Sequence, residues 1–285
     1  MFAAMQAKVS VMDTPSSLAV APPSSGPTYA SYLRLDRVLD AQAPLSDSHD
    51  ELLFIVIHQA SELWIKLCLH ELRAARTAIA TDQLAPALKM MTRVSRVQEQ
   101  LIQSWGVLAT ITPSDYSAMR AALGSSSGFQ SHQYRLMEFM MGNKNARMID
   151  VHQGAPALQA MLAEELVRPS LYDEAISLLA RRGFAIPPEA YTRDFTQAYT
   201  ASPAVEAAWA AIYRQPDVYW DLYELAEKLV DLEYRFQLWR FGHLKAIERV
   251  IGFKRGTGGS SGVPYLASVL EQVFFPELLD VRKVL

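Results

Sequence analysis

With one cysteine in 285 residues, Cys68, the chain can form no internal disulfide. Cys68 sits in an apolar helical pattern, where a buried inert thiol is expected. Positive charge is not in excess: 27 Lys and Arg stand against 30 Asp and Glu, a net charge of −3. No Lys/Arg cluster with interleaved aromatics suggests a nucleic-acid partner. The first 27 residues hold no apolar core of signal-peptide length. The longest aliphatic or aromatic run, Leu52 to Ile57, is too short to span a bilayer. These absences predict a cytoplasmic protein with no membrane or nucleic-acid partner. Metal-site signatures are missing too: there is no Glu-x-x-His, His-Glu-x-x-His or Cys-x-x-Cys. Neither a fixed-period repeat nor an alternating strand pattern is present.

What remains is helix upon helix. Residues 1–27 are rich in Ala, Ser and Pro and read as a flexible arm, leaving 28–285 as one helical domain. Ser48 and Glu51 have capping-box spacing ahead of a helix running to about Ala80. Its early turns are apolar on nearly every face, which predicts that they lie inside the fold. Further helices are expected over 84–105, from Pro113 to the Gly124–Gly128 break, and over 129–141, 155–167, 171–182 and 203–214. A long helix is expected over 217–251 and a last one over 264–274. Two long helices with shorter ones between them predict an all-α bundle.

Six histidines are present. His49, His70, His132 and His152 lie among polar residues and read as surface groups. His58 lies one turn after Phe54 on the same face of the most apolar helix. Burial there keeps an imidazole neutral, with one donor and one acceptor, able to grip an indole N–H or simply to bond a backbone carbonyl. His243 follows Gly242, which weakens the helix by about 1 kcal/mol relative to alanine and leaves room for a flat group near the backbone. A haem iron takes such a histidine as its proximal ligand; a packed core histidine is the other reading. Tyr116 and Arg120 share a helix face, so Arg120 can bind a carboxylate beside an aromatic wall, or simply lie solvated over a packed tyrosine. Gly256–Gly262 is no Walker A loop, since no lysine follows in place and no strand precedes it. It reads as a mobile loop offering Thr257, Ser260 and Ser261 hydroxyls to a ligand, or as a plain connector.

Eight strings occur together in one order: Tyr29–Asp36, Phe54–Trp64, Ile111–Tyr116 with Arg120, Ser126–Ser131, Gly142–Asn145, Phe236–Arg240 with His243, Ile251–Gly262 and Phe274–Leu278. In this combination the chain resembles the tryptophan 2,3-dioxygenase family over about residues 29–285. The resemblance implies haem b, ferrous in the active form, with His243 as proximal ligand and Trp105, Ser127 and Gly128 on the haem side. It implies that His58 hydrogen-bonds the indole N–H of L-tryptophan, that Phe54 and Tyr116 wall the substrate, that Arg120 holds its carboxylate and that Thr257 meets its ammonium. It further implies a homotetramer in which Tyr29 and Tyr32 complete a neighbouring subunit's pocket. The reaction implied is insertion of O2 across the indole C2–C3 bond to give N-formyl-L-kynurenine, the first step of the kynurenine pathway. Two alternatives stay open: a broader indoleamine dioxygenase, against which His58 speaks, and a non-catalytic helical haem sensor or carrier. Gly242 departs from the pattern, standing where a larger residue is expected.

Overall fold

The computed structural model describes residues 26–285, in two compact units, one comprising the residues up to Ala43 and the other Pro44–Leu285. Residues 1–25, the bulk of the expected arm, lie outside the described residues. In the first unit, α1 (Tyr29–Leu33) and α2 (Leu35–Val38) meet at Arg34, whose φ of 53° is left-handed. Thr28 caps α1 by accepting the Ser31 N–H.

The second unit contains α3 (Glu51–Ala80), α4 (Leu84–Leu108), α5 (Pro113–Leu123), α6 (His132–Met141), α7 (Pro156–Leu166), α8 (Leu171–Arg181), α9 (Pro188–Tyr191), α10 (Pro203–Arg214), α11 (Trp220–Val250), α12 (Val263–Val269) and α13 (Pro276–Asp280). No strand occurs among the described residues, so the all-α expectation holds. The frame is α4 packed between α3 and α11. Its register is written in the sequence. On α11 the inward positions are Leu222, Leu225, Leu229, Leu232, Phe236, Trp239, His243, Ala246 and Val250, at alternating spacings of three and four. On α4 they are Leu84, Ala87, Met91, Val94, Gln98, Leu101, Trp105 and Leu108. That 3.5-residue period keeps one seam facing the partner helix along the whole length.

Two expectations about α3 need correction. Its start is not a capping box, since the N-cap is Asp50 without a side-chain bond. Glu51 instead turns back, accepting the N–H groups of Leu45 and Ser46 at 2.7 Å each. These bonds hold its carboxyl below the usual range. The first turns are also not enclosed: Leu52 and Val56 are exposed, as are Leu63, Trp64 and Leu67 further on. Only the second half, through Ile65, Cys68, Leu69, Leu72, Ala75 and Ile79, enters the main core. Cys68 is wholly buried, and burial pushes its thiol up to about 12, so it is inert. Among the described residues α3 is also the one helix whose length and composition would allow it to cross a membrane. Its last turns, which carry Glu71, Arg73 and Arg76, pack into the main core. The last expected helix is shorter than 264–274. It stops at Val269, and the chain turns so that Glu233 can accept the N–H groups of Phe274 and Phe275 at 2.8 and 3.1 Å.

Candidate active site

The core comes in two parts. The larger cluster joins α3, α4, α6, α8, α10 and α11, whereas Leu108, Ile111, Tyr116, Met119 and Val250 form a small one with Leu53, Phe54 and Ile57 against it. Trp105 packs against both clusters. Between them lies an open-mouthed cavity lined mostly by apolar side chains.

Eight of the residues singled out from the sequence line this one cavity: Phe54, His58, Trp105, Tyr116, Ser127, Gly128, His243 and Thr257. His58 packs against Phe54 with ring centroids 4.1 Å apart and planes tilted by 37°, and its Nδ1 lies 2.7 Å from the Phe54 carbonyl oxygen. A carbonyl only accepts, so Nδ1 carries the hydrogen. Burial lowers the His58 pKa, more than the Phe54 carbonyl raises it. The imidazole is therefore neutral near pH 7, and Nε2 is a bare acceptor.

His243 lies deep in the protein yet is not fully covered, because part of its ring borders the cavity. Burial, with His58 as a second influence, lowers its pKa to about 4. Neutral imidazole is the form that ligates a metal. The ring makes no hydrogen bond to any described residue and instead lies flat against Trp105, centroids 4.6 Å apart at 6°.

The glycine-rich loop folds over the mouth. Thr257 donates its hydroxyl hydrogen to the Ser126 carbonyl. Gly258 lies against Ser127 so closely that a Cβ there would be 2.6 Å from the Ser127 Cβ. Ser260 also lines the cavity, whereas Ser261 is exposed.

Arg120 stands elsewhere. It borders an outer hollow with Tyr116, Arg249 and Lys254, and Tyr116, Val250, Ile251 and Lys254 line both spaces. Its Nη2 donates to the Arg255 carbonyl at 2.9 Å, and its buried Nη1 has no acceptor. Tyr29 and Tyr32 belong to the first unit, where both side chains are largely exposed. His152, expected at the surface, is buried edge-on to His132.

The sequence reading missed the polar end of the cavity. Arg135 and Arg240, both buried and both lining it, share one carboxylate, Glu138. Arg240 donates to Glu138 Oε1 at 2.7 Å and to the Val269 carbonyl at 2.9 Å. Arg135 stacks on Phe129 and Tyr134 and leaves its buried Nε without an acceptor. The signal was an Arg and a Glu three apart in Tyr134–Met141, whose other residues are all apolar or aromatic, a spacing that suggests a paired charge inside a core.

Fold and cavity together define an all-helical protein with a largely apolar slot bordered by two neutral histidines and with arginine donors at one end. The family described as tryptophan 2,3-dioxygenase matches residues 19–285. A tryptophan 2,3-dioxygenase of Erythrobacter litoralis (strain HTCC2594) is 65% identical over 255 residues, 90% of this chain and 97% of the relative. One of Burkholderia pseudomallei (strain 1106a) is 59% identical over 262 residues, covering 92% of this chain and 86% of the relative. One of Burkholderia mallei (strain SAVP1) is 58% identical over the same length. The chain belongs to the tryptophan 2,3-dioxygenase family.

Proposed function

We propose that this chain inserts O2 across the C2–C3 bond of L-tryptophan to give N-formyl-L-kynurenine, using haem b bound through His243. The residues present fit that group. The slot is largely apolar, His243 is neutral and free of protein hydrogen bonds, and Arg135 keeps an unused buried donor suited to a carboxylate at the haem edge. What haem supplies when bound is the activation of O2.

The remaining work falls to side chains. His58 Nε2 accepts the indole N–H, because the Phe54 carbonyl has fixed the tautomer. Phe54 and Tyr116 wall the ring. The Thr257 hydroxyl receives the ammonium, and Arg120 leaves the Arg255 carbonyl to take the carboxylate, satisfying its idle Nη1 in the process. Closure of the 252–262 loop then keeps water from the reacting bond. We further propose a cytoplasmic homotetramer whose Tyr29 and Tyr32 enter a neighbouring pocket. In support, both tyrosines are exposed in the single chain, and α3 presents Leu52, Val56, Leu63, Trp64 and Leu67 without cover.

The observation that carries the proposal is His58 and His243 bordering one slot in a chain of this family. The test is anaerobic reduction of the haem-loaded protein, followed by L-tryptophan and O2, with absorbance and product mass recorded. Formylkynurenine is the expected product. Its absence overturns the enzymatic reading in favour of a haem sensor, and equal turnover of D-tryptophan and tryptamine makes the protein a broader indoleamine dioxygenase. His243→Ala should lose bound haem; full occupancy in that variant removes the ligand assignment.

A further inference from the structure

A histidine that ligates a metal almost always donates its second ring N–H to a carboxylate, a carbonyl or water, and that bond fixes the ring's rotation. His243 has no such partner among the described residues; its flat contact is the indole of Trp105. That indole is itself held. Its Nε1 donates at 2.9 Å to the carbonyl of Trp239, four residues before His243 on the same face of α11. It can come this close because residue 242 has no side chain: a Cβ there would lie 2.7 Å from Trp105 Cδ1 and 3.4 Å from Cγ. Gly242 lies inside the last third of a 31-residue helix, where glycine is about 1 kcal/mol less favourable than alanine.

We propose that Trp105 and Gly242 form a positioning pair that sets the rotation of the His243 imidazole by stacking. Gly242 is there to admit the indole, and the indole plane determines how the imidazole nitrogen is presented to the haem iron. The inference rests on His243 as haem ligand, and its test separates the two ideas.

The test uses the haem-loaded protein and two readouts: the iron–imidazole stretching band of the ferrous form by resonance Raman, and the rate of haem transfer to a scavenging apoglobin. Trp105→Leu removes the stack and Gly242→Ala displaces the indole. Each should shift or broaden the band and speed haem loss about tenfold, the low end of what losing an outer-shell partner costs a metal site. Trp105→Phe keeps an aromatic face and should stay near the parent. The double variant Trp105→Phe/Gly242→Ala should recover most of the Gly242→Ala defect, because the smaller ring leaves space for the added methyl. A general loss of packing predicts the opposite, since the two changes would then add. If Trp105→Leu does not fold, the Gly242→Ala and double-variant pair decides alone. An unchanged band and loss rate in Gly242→Ala, or additive defects in the double variant, overturns the proposal. A parent protein without any iron–imidazole band, or His243→Ala retaining one, defeats the ligand assignment itself.

Discussion

Adding one methyl group at position 258 tests whether the glycine-rich loop closes the site. Gly258 lies against Ser127, and a Cβ would sit 2.6 Å from the Ser127 Cβ and 2.9 Å from its Oγ. The Ser127 side chain has little freedom to retreat, since its Oγ accepts the Phe129 N–H and caps the short 3-10 turn 128–130. The loop must therefore lift. Lifting it breaks the hydrogen bond from Thr257 to the Ser126 carbonyl, worth about 0.5–1.5 kcal/mol net, and withdraws the Thr257 hydroxyl from the ammonium it is proposed to meet. Together these amount to about 1–2 kcal/mol, a factor of roughly 5–30. Gly258→Ala should raise KM for L-tryptophan by that factor. The effect on kcat should be smaller, because Phe54, His58 and His243 stand on helices that the loop does not carry. Loop opening is a local event, so the thermal midpoint should move by less than about 2 °C. Steady-state kinetics and a melting curve on the same preparation are sufficient. An unchanged KM refutes loop closure as a binding element, and a collapsed midpoint would show that the glycine serves the fold instead.

Three further outcomes follow from the same geometry. Arg120→Ala should weaken L-tryptophan far more than tryptamine, which lacks the carboxylate; equal losses in KM would remove Arg120 from substrate binding and leave it as a tether for the Arg255 carbonyl. Glu138→Gln removes the one carboxylate bridging buried Arg135 and Arg240 and should destabilise the protein by about 3–5 kcal/mol in urea unfolding; a change below about 1 kcal/mol would mean that other groups already balance the two guanidiniums. Buried Lys144 donates to the carbonyls of Glu165 and Arg168, and burial lowers its pKa from 10.5 to about 8. The unfolded chain therefore binds more protons between those values, so this group destabilises the fold fully below pH 8 and less as pH rises toward 10.5. The parent should gain stability relative to Lys144→Met between pH 8 and 10, below the range in which the buried tyrosines titrate. A difference that stays flat across that window would contradict the lowered pKa.

Much of this architecture was legible beforehand, and the failures have physical causes. Helices α4, α5, α7, α8, α10 and α11 fall within a few residues of their expected bounds, because proline at the start or an apolar stripe of helical period marks each one. At the start of α5, Thr112 and Asp115 form a capping box. Ser48 and Glu51 had the same spacing, yet no box formed there, since Glu51 found the N–H groups of Leu45 and Ser46 instead. Spacing fixes which atoms are near, and competition among donors decides which of them bond. His152 was misjudged for a related reason: polar neighbours in sequence do not indicate what packs on them from elsewhere in the chain. The exposed stripe on α3 was misread because hydrophobicity on every face does not say whether the cover is the same chain or another.

His243 and Trp105 show how a packing register becomes a site. Both stand on core positions of their helices, where the alternating three-and-four spacing calls for an apolar knob. Along the lower seam those positions hold Leu, Met, Val and Phe, and the helices close on one another. At the upper end α3 departs from the main core, its Leu53, Phe54 and Ile57 joining the smaller cluster with Ile111 and Tyr116. The seam opens there into the cavity that Phe54, Ile57 and His58 of α3 also line, and its border is whatever the register presents. A leucine at 243 would leave an apolar hole, whereas a histidine makes the same hole a place where a nitrogen lone pair is kept neutral by burial and steadied by the indole beside it. The chemistry follows from placing a histidine at a packing position where the seam opens into a cavity.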